Sequence, residues 1–252
     1  MRGPTGSGKS TLARTWAYLR DRRLVEYPFS GETTKAEFGY KTTLVEGRTE
    51  LLLQFLYKAA EHGYTVLINE FNMAWPEVPT AFMNLVDKGE TIRLPDGRVI
   101  KKHPDFALIA TENYPDTRFA SSPEYAGAKP QNQAVENSFG VNMEVPYPPE
   151  KEETAILQLL NPDISEKLTS NLVTFVGDMR AAIDRPTISE PTKQILKRFA
   201  VSTDELMQLV LRNHFDQELV AELTKMFKSL TRQQQEQIAP HMARLMPLLR
   251  SE

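Results

Sequence analysis

The chain has 252 residues, 40% apolar and 25% charged, with a formal charge of -3. That is enough for one large domain or a core plus a smaller one, and the charge argues against a strongly basic nucleic-acid face. With no cysteine, disulfides and thiolate metal sites are excluded and a cytoplasmic location is the expectation.

No apolar run approaches the ~20 residues of a membrane-spanning helix. His62, His103, His214 and His241 are scattered without metal-ligand spacing. A glycine-rich segment follows Met1 almost at once, so no signal peptide is expected.

Residues 11–24 predict a helix with Leu12, Trp16, Leu19 and Leu24 along its buried stripe. A short strand is expected over 24–29, a polar loop over 30–48 and a helix over 49–61 stopped by Gly63. Residues 64–69 form an apolar run suited to a buried parallel strand. A helix over 77–88 carries Val78, Phe82, Leu85 and Val86. Two short strands then flank a Pro95-Asp96-Gly97 turn. Further strands are expected at 105–111 and 141–145, separated by a long loop that is partly helical around 130–137.

Beyond Tyr147-Pro148-Pro149 the pattern is helical. Helices are expected over 150–160, over 168–183 and from near Pro191 with Ser189 as cap. Ser202 with Glu205, and Thr231 with Gln234, fit capping boxes. Trp16 and Trp75 read as packing residues.

Gly3-Pro4-Thr5-Gly6-Ser7-Gly8-Lys9-Ser10 satisfies GxxxxGK[ST] in full. Glycines let backbone N–H groups turn inward around phosphates, and a lysine in this place neutralises their charge. The Ser10 hydroxyl is the candidate magnesium ligand, and the helix that follows, through Thr11, aims its N-terminus at the anion. Only Met1-Arg2 precede the loop, so the strand that normally delivers it is expected to be missing, which would expose strand edges and part of the core.

A second motif is Val66-Leu67-Ile68-Asn69-Glu70, an apolar strand ending in two polar residues. In P-loop enzymes that end holds an Asp near the metal and a Glu that polarises the attacking water. Glu70 fits the second role. Asn69 stands at the Asp position and brings no charge. The third element, Ala110-Thr111-Glu112-Asn113, offers the Asn113 amide to position water or touch the γ-phosphate.

Together these residues resemble the MoxR and cobaltochelatase-subunit branch of the AAA+ ATPases, within the dynein-related AAA proteins. The likeness runs through Leu44–Gly47, 66–90, 94–113, Tyr125-Ala126-Gly127, Asn132-Gln133-Ala134 and 146–157. It implies an α/β P-loop NTPase core over 1–148, with a parallel sheet and an inserted β-hairpin at about 91–101, and an all-helical lid with C-terminal helices over 149–252. It further implies ATP and Mg2+, a hexameric ring and a von Willebrand A-type partner protein.

Three positions depart from the resemblance. Asn69 replaces Asp; Ser138 stands where an arginine finger is expected, with Arg118 in the same loop; and Ser189-Glu190-Pro191 lacks the lid arginine, with Arg180 and Arg185 nearby.

The leading reading is a Mg2+-dependent ATPase that remodels a partner protein. Glu70 polarises the water, Asn113 positions it, and Lys9 takes up charge. The alternative is a nucleotide-binding ring subunit with little turnover, which the three departures favour. A nucleic-acid motor, with Arg93, Arg98, Lys101 and Lys102 lining a pore, ranks below a solvated hairpin edge.

Overall fold

The computed structural model describes residues 1–80, 83–86, 89–113, 131–183, 185, 187–197, 199–213 and 216–239. The chain divides into two units, Met1–Val145 and Pro146–Glu252.

The first unit is α/β. Strands β2 (Leu24–Pro28), β5 (Thr65–Asn69) and β8 (Ala107–Ala110) form a parallel sheet in the order β2-β5-β8. The middle strand is apolar from Val66 to Ile68 and buried from Thr65 to Ile68, as expected of a parallel strand covered on both faces. One residue past β8, strand β9 (Glu112–Asn113) pairs in parallel with β1 (Arg2–Gly3). On the far side of β1, the Arg2 N–H donates to the Met143 carbonyl at 2.8 Å and the Val145 N–H to the Arg2 carbonyl at 2.7 Å. The lateral order is therefore β2, β5, β8 with β9, β1, and the extended segment 143–145.

The strand expected to be missing is thus present as a two-residue stub between β9 and the segment 143–145. Beyond it, toward Met1, lies an apolar cavity of about 550 Å³, lined in part by Leu12, Trp16, Leu108, Val141 and Met143. This changes the reading of the first helix, α1 (Lys9–Leu19). Ala13 and Ala17 are its buried apolar residues, whereas Leu12 is 43%, Trp16 37% and Leu19 74% exposed. Leu12 and Trp16 line the cavity together with Leu108 of β8.

A second correction concerns 49–61. Strands β3 (Tyr40–Val45) and β4 (Arg48–Leu53) form an antiparallel hairpin, and the helix α3 (Phe55–His62) starts only afterwards. Glu46 and Gly47 both have positive φ, 50° and 76°. A two-residue turn of that kind matches the twist of paired strands. Pairing thus overrides the helical periodicity of the leucines. The polar stretch before it holds a one-turn helix α2 (Lys35–Phe38), capped by Thr34.

The expected helix over 77–88 is described as α4 (Glu77–Thr80) and α5 (Met83–Val86); Phe82 lies outside the described residues. The hairpin β6 (Thr91–Arg93) and β7 (Val99–Lys101) follows, then α6 (Gln133–Ser138). The core of this unit is aromatic, with Phe29, Phe38, Tyr57 and Phe71 buried together. The rings of Phe29 and Phe71 stack at 5.8 Å. Trp75 is 53% exposed and Trp16 shares the cavity rim, so neither is a core residue.

The second unit is helical: α7 (Glu150–Leu160), α8 (Glu166–Ile183), α9 (Glu190–Leu196), α10 (Thr203–Arg212), α11 (Asp216–Lys228) and α12 (Arg232–Ile238). Ser189 caps α9, and both capping boxes form as the sequence predicts. Leu157, Val173, Phe175, Met179, Leu206 and Val210 are buried. Among them Glu153 is only 2% exposed.

Candidate functional site

The site begins where β1 ends. Gly3 is buried, and a β-carbon there would meet the Val145 carbonyl oxygen at 2.1 Å, so only glycine lets the chain leave the sheet at this point. Gly6 (φ 68°) and Gly8 (φ 88°) adopt left-handed conformations that L side chains rarely take. Gly8 then serves as N-cap of α1 with no side-chain cap. The first amides of α1 therefore lack a competing side-chain acceptor and meet the requirement for holding an anion.

Lys9 curls back over this loop, donating to the Gly3 carbonyl at 3.0 Å and the Pro4 carbonyl at 2.6 Å. Burial lowers its pKa to about 8, and the nearby Glu70 charge opposes that shift. Ser7 Oγ is buried with no hydrogen-bond partner. A buried hydroxyl in that state calls for an acceptor, which a phosphate oxygen supplies. Thr5 and Thr11 are exposed at the loop and on the first turn of α1.

The strand ends complete the site. Ser10 Oγ donates to Asn69 Oδ1 at 2.7 Å, and Thr111 Oγ1 donates to the same oxygen at 3.3 Å. The Glu70 N–H donates to Thr111 Oγ1 at 3.3 Å. Glu70 itself is exposed and left-handed, with φ 56° and ψ 47°. Such a conformation costs a non-glycine residue of order 1–3 kcal/mol and clusters at functional sites. Asn113 lies beside Gly3 in the β1–β9 register, and its carbonyl accepts from Asn72 Nδ2 at 2.9 Å. Lys9, Ser10, Asn69, Glu70 and Asn113 are thus gathered at the carboxyl ends of parallel strands.

The donor set fits a magnesium ion. Ser10 Oγ and Asn69 Oδ1 are hard oxygens within hydrogen-bond distance of each other, and this ion takes few protein ligands and keeps its waters.

Two neighbours that sequence reasoning did not single out bond to the site through Asn69 and Glu26. Asn69 Nδ2 donates to Glu26 Oε2 at 3.2 Å, and Arg14 binds both oxygens of Glu26 at 2.6 and 2.8 Å. A lone charge within the strand 24–28, and a basic residue four after Ser10, were the available signals.

Of the arginine candidates, Arg118 lies outside the described residues, as does the Tyr125-Ala126-Gly127 segment of the resemblance. Ser138 Oγ donates to the Val135 carbonyl at 2.6 Å. In the second unit, Arg180 donates to both oxygens of Glu153 and to the Val201 carbonyl, and lies 3.8 Å from the Tyr147 ring centroid. It is a structural residue of the helical unit. Arg185 is exposed.

A parallel α/β unit whose strand β1 runs into a glycine-rich loop, a lysine and a helix N-terminus is that of a P-loop nucleotide-binding protein. Residues 1–125 match the AAA domain of the dynein-related subfamily. An uncharacterized protein of Staphylococcus epidermidis is 30% identical over 201 residues, covering 77% of this chain and 73% of its own. One of Staphylococcus aureus is 30% identical over 207 residues with the same coverage. Among solved structures, NtrX from Brucella abortus in complex with ADP is 13% identical with a TM-score of 0.48. That likeness covers 84% of this chain and 44% of the NtrX chain. The chain belongs to the same family as the staphylococcal proteins, and its residues 1–125 carry an AAA domain of the dynein-related type, a nucleotide-binding module.

Proposed function

We propose that this chain is a Mg2+-dependent ATPase of the MoxR type that converts hydrolysis into work on a partner protein. The observation that carries the reading is the loop: Gly6 and Gly8 are left-handed, α1 starts without a side-chain cap, and Lys9 folds back over the Gly3 and Pro4 carbonyls.

In this reading the amides of residues 3–11 and Lys9 hold the β- and γ-phosphates. Ser10 and Asn69 hold the metal, which supplies positive charge against the phosphate oxygens. Glu70 accepts a proton from the water that attacks the γ-phosphorus, and the Asn113 amide orients that water. The bond to the bridging oxygen breaks in line, releasing ADP and phosphate. Assembly into a hexameric ring, a von Willebrand A-type partner and a lid role for the helical unit are parts of the same proposal.

A specific observation favours a second reading, a nucleotide-binding subunit with little turnover. Asn69 is neutral, and Ser138 spends its hydroxyl on its own helix. An arginine finger is worth about 10³–10⁵ in rate. Steady-state ATP hydrolysis by the parent and by Glu70→Gln separates the two. Turnover that Glu70→Gln abolishes supports the ATPase; nucleotide binding without Glu70-dependent turnover supports the subunit.

A further inference from the structure

Asn69 occupies a place where an acidic side chain would bring charge to the metal, yet a charge stands directly behind it. Glu26 on β2 accepts from Asn69 Nδ2 at 3.2 Å, while Asn69 Oδ1 accepts from Ser10 Oγ at 2.7 Å. Arg14 on α1 grips Glu26 through Nε and Nη2. That grip, helped by the Asn69 amide, holds the Glu26 carboxyl below the usual carboxylate range. Four side chains from three elements form one line: Arg14, Glu26, Asn69, Ser10.

Two consequences follow from elementary electrostatics. An amide whose N–H is drawn to a carboxylate carries more negative charge on its oxygen, because chained hydrogen bonds polarise one another. An aspartate at 69 would face Glu26 as a like charge, so asparagine is the residue that admits a carboxylate at that distance.

We propose that Glu26 is the anionic positioning residue of the metal subsite, acting through the Asn69 amide on the Ser10 hydroxyl, with a nucleotide-bound divalent cation as the ligand. The inference rests on the nucleotide reading above and adds to it the source of charge at the metal.

Manganese(II) serves as the probe. The full chain, loaded with ADP, is titrated with manganese, and free ion is read by electron paramagnetic resonance. Glu26→Gln weakens manganese uptake at least about fivefold and changes metal-free ADP affinity less than about twofold. Arg14→Gln, which cuts the same ion pair but keeps the carboxylate, leaves manganese affinity within about twofold or tightens it. In an Asn69→Ala background, Glu26→Gln adds no further loss.

A carboxylate that merely ties α1 to β2 makes Arg14→Gln and Glu26→Gln lose equally, and that result overturns the proposal. So does parent-like manganese affinity in Glu26→Gln, or full additivity over Asn69→Ala. Thermal unfolding of each variant identifies a loss that comes from misfolding, and the comparison is then made with Glu26→Asp, which retains manganese uptake only if the charge matters. Failure of the parent to bind ADP sinks the nucleotide reading and this inference together. Normal ADP binding with manganese uptake indifferent to Glu26 sinks this inference alone.

Discussion

The amino group of Met1 donates to the Ala110 carbonyl at 2.7 Å, and the Met1 carbonyl accepts from the Glu112 N–H at 2.9 Å. Met1 thereby extends β1 by one rung. Ala107 and Thr111 turn their N–H groups to the β5 side, so Leu108, in phase with Ala110, turns its backbone groups toward the cavity. Apolar side chains and open strand edges thus line the same slot.

An extended segment of β-branched residues fused ahead of Met1 should fill that slot. The expected outcome is a melting temperature higher by about 5 °C or more, from burying apolar area and pairing the edges. A Gly-Ser extension of equal length should give no such rise. Differential scanning fluorimetry checks both. Equal behaviour of the two extensions contradicts the assignment.

Lys9 makes nucleotide affinity pH-dependent. Its folded pKa, about 8, lies below its ordinary 10.5. Between those values the folded chain binds fewer protons than the unfolded one, so nucleotide-free stability rises with pH across that window. A polyphosphate beside the ammonium raises its pKa, so binding takes up a proton. Affinity should fall as pH climbs past about 8, approaching about tenfold per unit. Calorimetry in two buffers of different ionisation heat measures the proton uptake, which Lys9→Ala should abolish.

Gly3 and Gly8 should respond differently to alanine. At Gly3 the new β-carbon meets the Val145 carbonyl oxygen at 2.1 Å, so the sheet must shift. We expect a loss of roughly 1–3 kcal/mol in denaturant unfolding. Gly8 has open space around it but φ 88°. There the cost is about 1–2 kcal/mol of backbone strain, with nucleotide affinity falling as the loop relaxes.

Asn69 and Glu26 should behave as a matched pair. Asn69→Asp alone sets two carboxylates against each other and should lower the melting temperature without metal. Glu26→Gln in the same chain restores a hydrogen bond of reversed polarity and should recover most of that loss. A double-mutant cycle with a coupling of about 1 kcal/mol or more is the expected result.

In the helical unit, Arg180→Ala should cost about 3–5 kcal/mol, because it leaves Glu153 buried with an unpaired charge. Replacing the pair together, as Glu153→Leu with Arg180→Met, should cost less than the single change. Chemical denaturation compares them.

What was legible in the sequence was local. The capping boxes at Ser202 and Thr231 form because each motif spans one helical turn. The loop at Gly3–Ser10 and the strand ending at Asn69 stand out because contiguous residues carry them. The run Thr49–Leu53 was illegible because its strand state depends on pairing with Tyr40–Val45 across a Glu46-Gly47 turn. Exposure of Leu12 and Trp16 depends on the cavity they share with Leu108, Val141 and Met143, residues far from them in sequence. Arg14 meets Glu26, and Glu26 meets Asn69, only after α1, β2 and β5 are side by side, so no spacing rule announces them.

The most direct test of the account is calorimetric titration of the full chain with ATP and magnesium, beside Lys9→Ala. We predict one nucleotide bound per chain by the parent and an affinity lower by at least about tenfold in the variant. A correctly folded parent that takes up no nucleotide at millimolar ATP, or a Lys9→Ala variant that binds as tightly, would contradict it.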